Sequence, residues 1–162
     1  MGCPVKKISK KGGGSALIKD RLLALELVKR VSKAVRIPVT VKTRLGWDNK
    51  EENIEEFLLN LQDSGATMVT IHGRTRKEGF AGTADWEMIG RIKKLLEIPV
   101  IANGDIKNPK DALNCFNQTN ADGLMIGRGI LGSPWKIGEI DYAIKKQKGF
   151  REPNIEERLL LI

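Results

Sequence analysis

The chain is poor in the residues that build cross-linked frameworks and metal centres. Its two cysteines, Cys3 and Cys115, are too few for a disulfide network. They are also too isolated for a zinc site, which needs clustered Cys or His ligands at short spacing. With a single histidine, His72, no metal is expected. No apolar run approaches the length of a membrane span. The opening Met1-Gly2-Cys3-Pro4 leads into lysines rather than the apolar centre of a secretion leader, so no membrane association is expected and the expected location is the cytoplasm. Acidic residues are outnumbered, 20 against 28 basic ones, for a formal charge of +8. Such an excess favours a polyanionic partner, nucleic acid before membrane, because each cation that neutralises a phosphate releases counterions. An ordinary lysine-rich surface accounts for the charge equally well on its own. What is present, 162 residues with 41% hydrophobic and 30% charged content, is the composition of one globular domain.

Apolar residues at Leu22, Leu23, Leu27, Val28, Val31 and Val35 recur at helical spacing, which predicts one amphipathic helix over Leu17–Val35 that stops before Ile37-Pro38. Val39–Lys42 then reads as a β-branched strand, Gly46-Trp47-Asp48-Asn49 as a loop, and Ile54, Phe57, Leu58 and Leu61 as the stripe of a second helix capped by Gly65. The cycle repeats. Met68–Ile71 is the next strand, residues 72–83 a loop, and about Asp85–Leu96 a helix. Ile98–Ala102 echoes Ile37–Val41, and after Asn103-Gly104-Asp105 a helix runs from about Pro109 to Asn117. Gly123–Ile126 is the last strand, followed by Gly127-Arg128-Gly129; beyond Lys148 the chain turns polar and a helical pattern begins at Ile155–Ile162.

Strands alternating with helices predict a parallel sheet of βα units, and four strands are too few to close the eight-stranded (β/α)8 barrel. The fold is therefore either an open α/β sheet or part of a barrel. In such folds the site lies at the carboxyl ends of the strands. Lys42, His72, Asn103-Gly104-Asp105 and Gly127-Arg128 occupy those ends. Gly127-Arg128-Gly129 suits a phosphate, since glycines let backbone N–H groups approach and Arg128 adds a charged donor; a plain tight turn is the alternative. Lys42 is placed to stabilise negative charge on a cofactor ring, unless it is merely solvated. His72 is either a packing residue or, beside Arg74 and Arg76, part of an anion site. Cys3, among Lys6, Lys7, Lys10 and Lys11, is either a reactive thiol or an inert terminal cysteine. Cys115 shares an apolar stripe with Ala112 and Phe116 and reads as structural. Lys6, Lys7, Lys10 and Lys11 with the Gly12–Gly14 run, together with Arg74, Arg76 and Lys77, would surround the site with charge. Trp47 and Phe80 would offer stacking surfaces there.

These segments resemble the tRNA-dihydrouridine synthases, and the bacterial branch most closely. The resemblance rests on Met1-Gly2-Cys3-Pro4-Val5-Lys6-Lys7, Gly14-Ser15-Ala16-Leu17, the run from Pro38 to Trp47, His72-Gly73-Arg74-Thr75-Arg76, Ala84-Asp85-Trp86, Asn103-Gly104-Asp105-Ile106 and Met125-Ile126-Gly127-Arg128-Gly129. It implies a (β/α)8 barrel that binds FMN, uses NADPH and acts on tRNA, of which residues 1–148 would be about the last four βα units. Residues 149–162 would be a linker and the start of a helical tRNA-binding domain. It further implies that Cys3 gives a proton to C5 of uracil while a hydride from reduced flavin reaches C6. Lys42 and His72 would lie at the flavin, Asn103, Gly104, Asp105, Gly127 and Arg128 would hold its ribityl-phosphate, and Lys6, Lys7, Lys10, Lys11, Arg74 and Arg76 would contact RNA. At full length a monomer is expected. The family places further strands before the position of Met1, so an inactive or non-catalytic RNA-binding fragment is the alternative. An FMN barrel working on a free base is a third reading, against which the basic loops weigh.

Overall fold

The computed structural model describes residues 1–48 and 53–160. Asn49, at the end of the expected first loop, and residues 161–162 of the expected last helix lie outside the described residues. Helix α1 (Lys6–Ser9), a 3-10 turn (Gly14–Ile18) and α2 (Arg21–Ala34) precede the sheet. Strands β1 (Thr40–Arg44), β2 (Met68–His72), β3 (Val100–Asn103) and β4 (Gly123–Met125) then alternate with α3 (Ile54–Asp63), α4 (Trp86–Lys93) and α5 (Pro109–Thr119). A 3-10 turn at Arg128–Ile130, α6 (Lys136–Ile144) and α7 (Ile155–Leu159) follow. The four strands lie in sequence order and every pairing is parallel, as the alternation required. This is an α/β fold with the geometry of part of a (β/α)8 barrel. Among the described residues no helix is long and apolar enough to cross a membrane.

Side chains that satisfy free backbone groups set the ends of the elements. Asp85 and Asn108 cap α4 and α5 by accepting from the Met88 and Asp111 N–H groups, and Pro109 occupies the first turn of α5, where its missing N–H costs nothing. Ahead of β3, the Gln62 Oε1 at the end of α3 accepts from the N–H groups of Glu97 and Ile98. The Asp122 carboxylate accepts from Val100 N and pairs with Lys93. The core lies between sheet and helices: Phe57, Leu58, Leu61, Val69, Ile71, Ile89, Ile92 and Val100 are buried, and Cys115 is packed among them. Burial pushes its thiol up to about 11, which makes it unreactive.

The helix expected over Leu17–Val35 is in fact two elements. Asp20 accepts from Leu23 N and starts a new helix at Arg21, leaving Leu17 and Ile18 in the preceding 3-10 turn. The stripe of α2 is also turned differently from the expectation. Ala24 and Val28 are its buried residues, whereas Leu22, Leu23, Leu27, Val31 and Val35 are exposed. The reason is position: α2 packs on α3 and the first 3-10 turn, and β1, the strand after it, is an edge of the sheet with no further strand beside it among the described residues.

This division of apolar residues has a measurable consequence. Leu61→Ala, at a position with 0% exposure, should cost about 3 kcal/mol in urea unfolding followed by circular dichroism. Leu22→Ala, at 83% exposure, should stay within about 0.5 kcal/mol. Equal costs would show that the outer face of α2 is covered in solution.

Candidate active site at the carboxyl ends of the strands

Parallel pairing places equivalent residues side by side, so the register decides which side chains meet. At the carboxyl ends Arg44 pairs with His72, His72 with Asn103 and Asn103 with Met125, forming one row across the sheet. Lys42, two residues before Arg44, belongs to the same face because strand side chains alternate. A cavity of about 700 Å³ opens over this row. Lys42, His72, Asn103, Gly104, Asp105, Gly127 and Arg128 all line it, so these seven sequence-predicted residues are brought together. Arg44, Arg74, Phe80, Lys107 and Lys136 also line it. Arg44, Lys107 and Lys136 were absent from the sequence-derived set. The signal for Arg44 was available, since it shares strand parity with Lys42.

Cations dominate the cavity wall, and their contacts fix its chemistry. Lys42 Nζ donates to Asn103 Oδ1 at 3.0 Å, and Asn103 Nδ2 donates to the Met125 carbonyl at 2.7 Å, which orients the amide. Burial, with Arg44 nearby, holds the Lys42 ammonium below the usual lysine range. His72 is 7% exposed, and burial together with Arg44, Lys42 and Arg74 drives its pKa down to about 4. The imidazole is therefore neutral at physiological pH and serves as a hydrogen-bonding group, not a charge. Gly104, at φ +121°, turns the chain beneath this ring; a Cβ there would come within 2.9 Å of His72 Cδ2, so no other residue fits.

Arg74, expected among the RNA-facing cations, is 1% exposed, with its guanidinium turned into the protein. Nε donates to the Ala81 carbonyl, Nη2 to the Gly82 carbonyl and the Asp105 carboxylate, and Nη1 lies 3.4 Å from His72 Nε2. The same carboxylate accepts from Ala84 N at 2.7 Å. Burial raises the Asp105 pKa, but the Ala84 N–H and Arg74 outweigh it and hold the carboxyl below its ordinary range.

Cys3 is half-buried and does not line the cavity. It stands beside it: the Gly2 carbonyl accepts from Arg44 Nε at 2.8 Å and the Cys3 carbonyl from Ser15 N at 3.0 Å. Lys6, Lys7, Lys10 and Lys11 are exposed on the adjoining segment. Arg76 is half-buried with its guanidinium 4.5 Å from the Trp47 ring, and Lys19 lies 5.1 Å from the same ring. Phe80 likewise carries Arg128 at 4.1 Å and Arg44 at 5.5 Å. The two aromatics expected as stacking surfaces thus already hold cations.

Comparison with known proteins bears on what such a cavity serves. A family model described as dihydrouridine synthase (Dus) matches residues 1–161. Similar proteins include "Probable tRNA-dihydrouridine synthase 1" of Synechocystis sp., 52% identical over 159 residues, which takes in 98% of this chain and 45% of the relative. "Probable tRNA-dihydrouridine synthase" of Rickettsia bellii is 45% identical over 99% of this chain and 49% of its own length. "tRNA-dihydrouridine synthase B" of Pasteurella multocida is 41% identical over 100% of this chain and 49% of its own. The chain spans about half the length of these relatives.

The electrostatics of the row can be read directly. As the only histidine, His72 gives a single imidazole signal in proton NMR, which should titrate with a midpoint of about 4 rather than 6.5. Between those two values the unfolded chain takes up the proton before the folded one does. Stability should therefore fall as pH drops from 6.5 toward 4, and His72→Gln should flatten that part of the curve.

Proposed function

The chain belongs to the dihydrouridine synthase family, and on that footing we propose that it forms the carboxyl-terminal part of the catalytic barrel of an FMN-dependent enzyme that reduces uridine in tRNA to dihydrouridine with NADPH. The observation that carries this reading is the convergence of Lys42, Arg44, Arg74, Lys107, Arg128 and Lys136, against the single carboxylate of Asp105, on one strand-end cavity. Its volume of about 700 Å³ lies within the roughly 300–1,000 Å³ usual for cofactor pockets. The residues fit a phosphorylated flavin. Gly127 has open space where a Cβ would stand, so a phosphate can approach its backbone, and Arg128 supplies charged donors beside it. Asn103 and Gly104 offer amide and backbone groups to the ribityl chain. Asp105 is an acceptor, suited to ribityl hydroxyls and unsuited to the phosphate, which it repels.

FMN supplies, when bound, a hydride for C6 of the uracil, with NADPH as the source of electrons. Lys42 carries the positive charge that favours negative charge at the flavin ring. Neutral His72 donates or accepts one hydrogen bond without adding to that field. Cys3 holds the proton for C5: its S–H bond breaks as the C–H bond forms, leaving a thiolate. Lys6, Lys7, Lys10, Lys11 and Arg76 serve the tRNA backbone, and residues 149–162 begin the segment that extends this grip.

The test is to incubate the protein, at the full length of its relatives, with unmodified tRNA, FMN and NADPH, and to measure dihydrouridine by mass spectrometry. Cys3→Ala should lower product formation at least about 100-fold while leaving bound flavin in place. Salt should weaken tRNA binding, and exchanging Lys10 and Lys11 for Gln should reduce that salt dependence. Binding of tRNA with neither flavin nor product would instead favour the non-catalytic RNA-binding reading, which the charge of +8 alone supports.

A further inference from the structure

The loop between β2 and α4 carries an unusual combination: an exposed aromatic side chain on a firmly held backbone. Phe80 is 55% exposed. On one side of it the Gly79 carbonyl accepts from Arg44 Nη1 at 2.8 Å. On the other, the Ala81 and Gly82 carbonyls accept from Arg74 Nε and Nη2 at 2.8 and 2.7 Å. Both arginines are buried, at 3% and 1% exposure, so the ring stands on a backbone fixed from within. Leaving a phenyl group half in water forfeits about half of its hydrophobic contribution, and its neighbours are the His72 ring, 6.1 Å away between centroids, and two guanidiniums.

The ring lies under Arg128. The guanidinium carbon is 4.1 Å from the ring centroid, while the Arg44 guanidinium lies 5.5 Å from it. Two like charges are thus gathered at one π system, which lessens the cost of their proximity. A contact through the π face has a second property. It restrains a guanidinium without using any of its N–H donors, whereas a carboxylate partner would occupy two of them. Among the described residues the structure shows neither an ion pair nor a hydrogen bond on the Arg128 side chain. Arg128 also springs from a short turn, Arg128–Ile130, placed by Gly129, where a Cβ would overlap the Ile106 carbonyl oxygen. Its backbone is anchored, and the Phe80 ring limits the rotamers of its long side chain.

We propose that Phe80 is a positioning residue for Arg128, holding the guanidinium by its face over the cavity so that its full set of donors stays free for the phosphate of the bound ligand. This rests on the reading of the cavity as an FMN site. Phe80 acts here through Arg128 and not by stacking on the flavin.

The experiment titrates the protein, at the full length of its relatives, and its variants with FMN and with riboflavin, which lacks the phosphate, following flavin fluorescence. Phe80→Leu should weaken FMN about tenfold and leave riboflavin within about twofold, and Phe80→Trp, which keeps a π face, should restore FMN binding. In an Arg128→Gln background, Phe80→Leu should have no further effect on FMN. Equal weakening of both flavins by Phe80→Leu would overturn the proposal in favour of direct stacking, and so would an unchanged FMN affinity. If the unaltered chain takes neither flavin, the FMN reading falls and the pair is judged by NMR with inorganic phosphate as the probe. Ring-shifted Arg128 side-chain signals that vanish in Phe80→Leu, with weaker phosphate binding in that variant, sustain the proposal. Absence of the ring shift in the unaltered chain overturns it.

Discussion

Arg74 and Asp105 form the contact on which the rim of the cavity depends. A guanidinium with 1% exposure is costly to desolvate and is tolerated only when its donors are matched. Arg74 meets this condition by reaching from the loop just after β2 to three points at once: the carbonyls of Ala81 and Gly82 and the carboxylate after β3. The pair is less a source of net stability than a determinant of shape, because removing either partner strands the other. Asp105 reaches Arg74 from a left-handed backbone at φ 58°, directly after Gly104 at φ 121°. Such a conformation is unfavourable for a residue with a side chain, and it persists here because the carboxylate is held by Arg74 and Ala84 N. The β2–α4 loop, the turn after β3 and the His72 ring between them are consequently one unit.

That unit sets the electrical character of the site. Burial first, and then the nearby Arg44, Lys42 and Arg74, keep a further proton from His72, so the cavity gains a neutral imidazole amid cations. The arrangement separates tasks that one residue type would otherwise confuse. Arg44 and Arg74 spend their donors on protein carbonyls and hold loops in place. Lys42 is tethered by Asn103, and among the described residues the Arg128 side chain is met by the Phe80 face and by no hydrogen bond. A collection of basic residues read simply as charge thus divides into structural and ligand-facing members once the donors are followed to their acceptors.

The same distinction explains what the sequence made legible. Alternating periods of apolar residues locate all four strands and the helices between them, because burying one face is a local demand that each segment must meet. The strand-end rule then gathers Lys42, His72, Asn103, Gly104, Asp105, Gly127 and Arg128 with no knowledge of pairing, since parallel strands all end on one side. The interior bonds of Arg74 were not legible because Arg-rich loops are usually solvated, and its partner lies 31 residues away on another loop. Asp20 was missed as a helix start for a different reason: the apolar pattern runs through it without interruption, and only its capping bond to Leu23 N ends one element and begins the next. The exposed face of α2 was misjudged because periodicity reveals that a helix has an apolar side, not whether anything lies against it.

Cys3 depends on the same buried supports. Its sequence neighbours are lysines, which invites the view that local charge alone defines its surroundings. The structure gives it a more distant set of supports. Arg44 holds the carbonyl before it, the Ser15 N–H holds its own carbonyl, and Gly14 makes room where a Cβ would approach the Cys3 oxygen within 2.8 Å. Arg44 simultaneously holds Thr75 and Gly79 of the β2–α4 loop. One buried side chain at the end of β1 therefore fixes the segment bearing the thiol relative to the loop bearing Phe80, and through Phe80 to Arg128. The position of the thiol beside the cavity follows from the strand register that places Arg44 in the row with His72 and Asn103, not from the few residues that precede it.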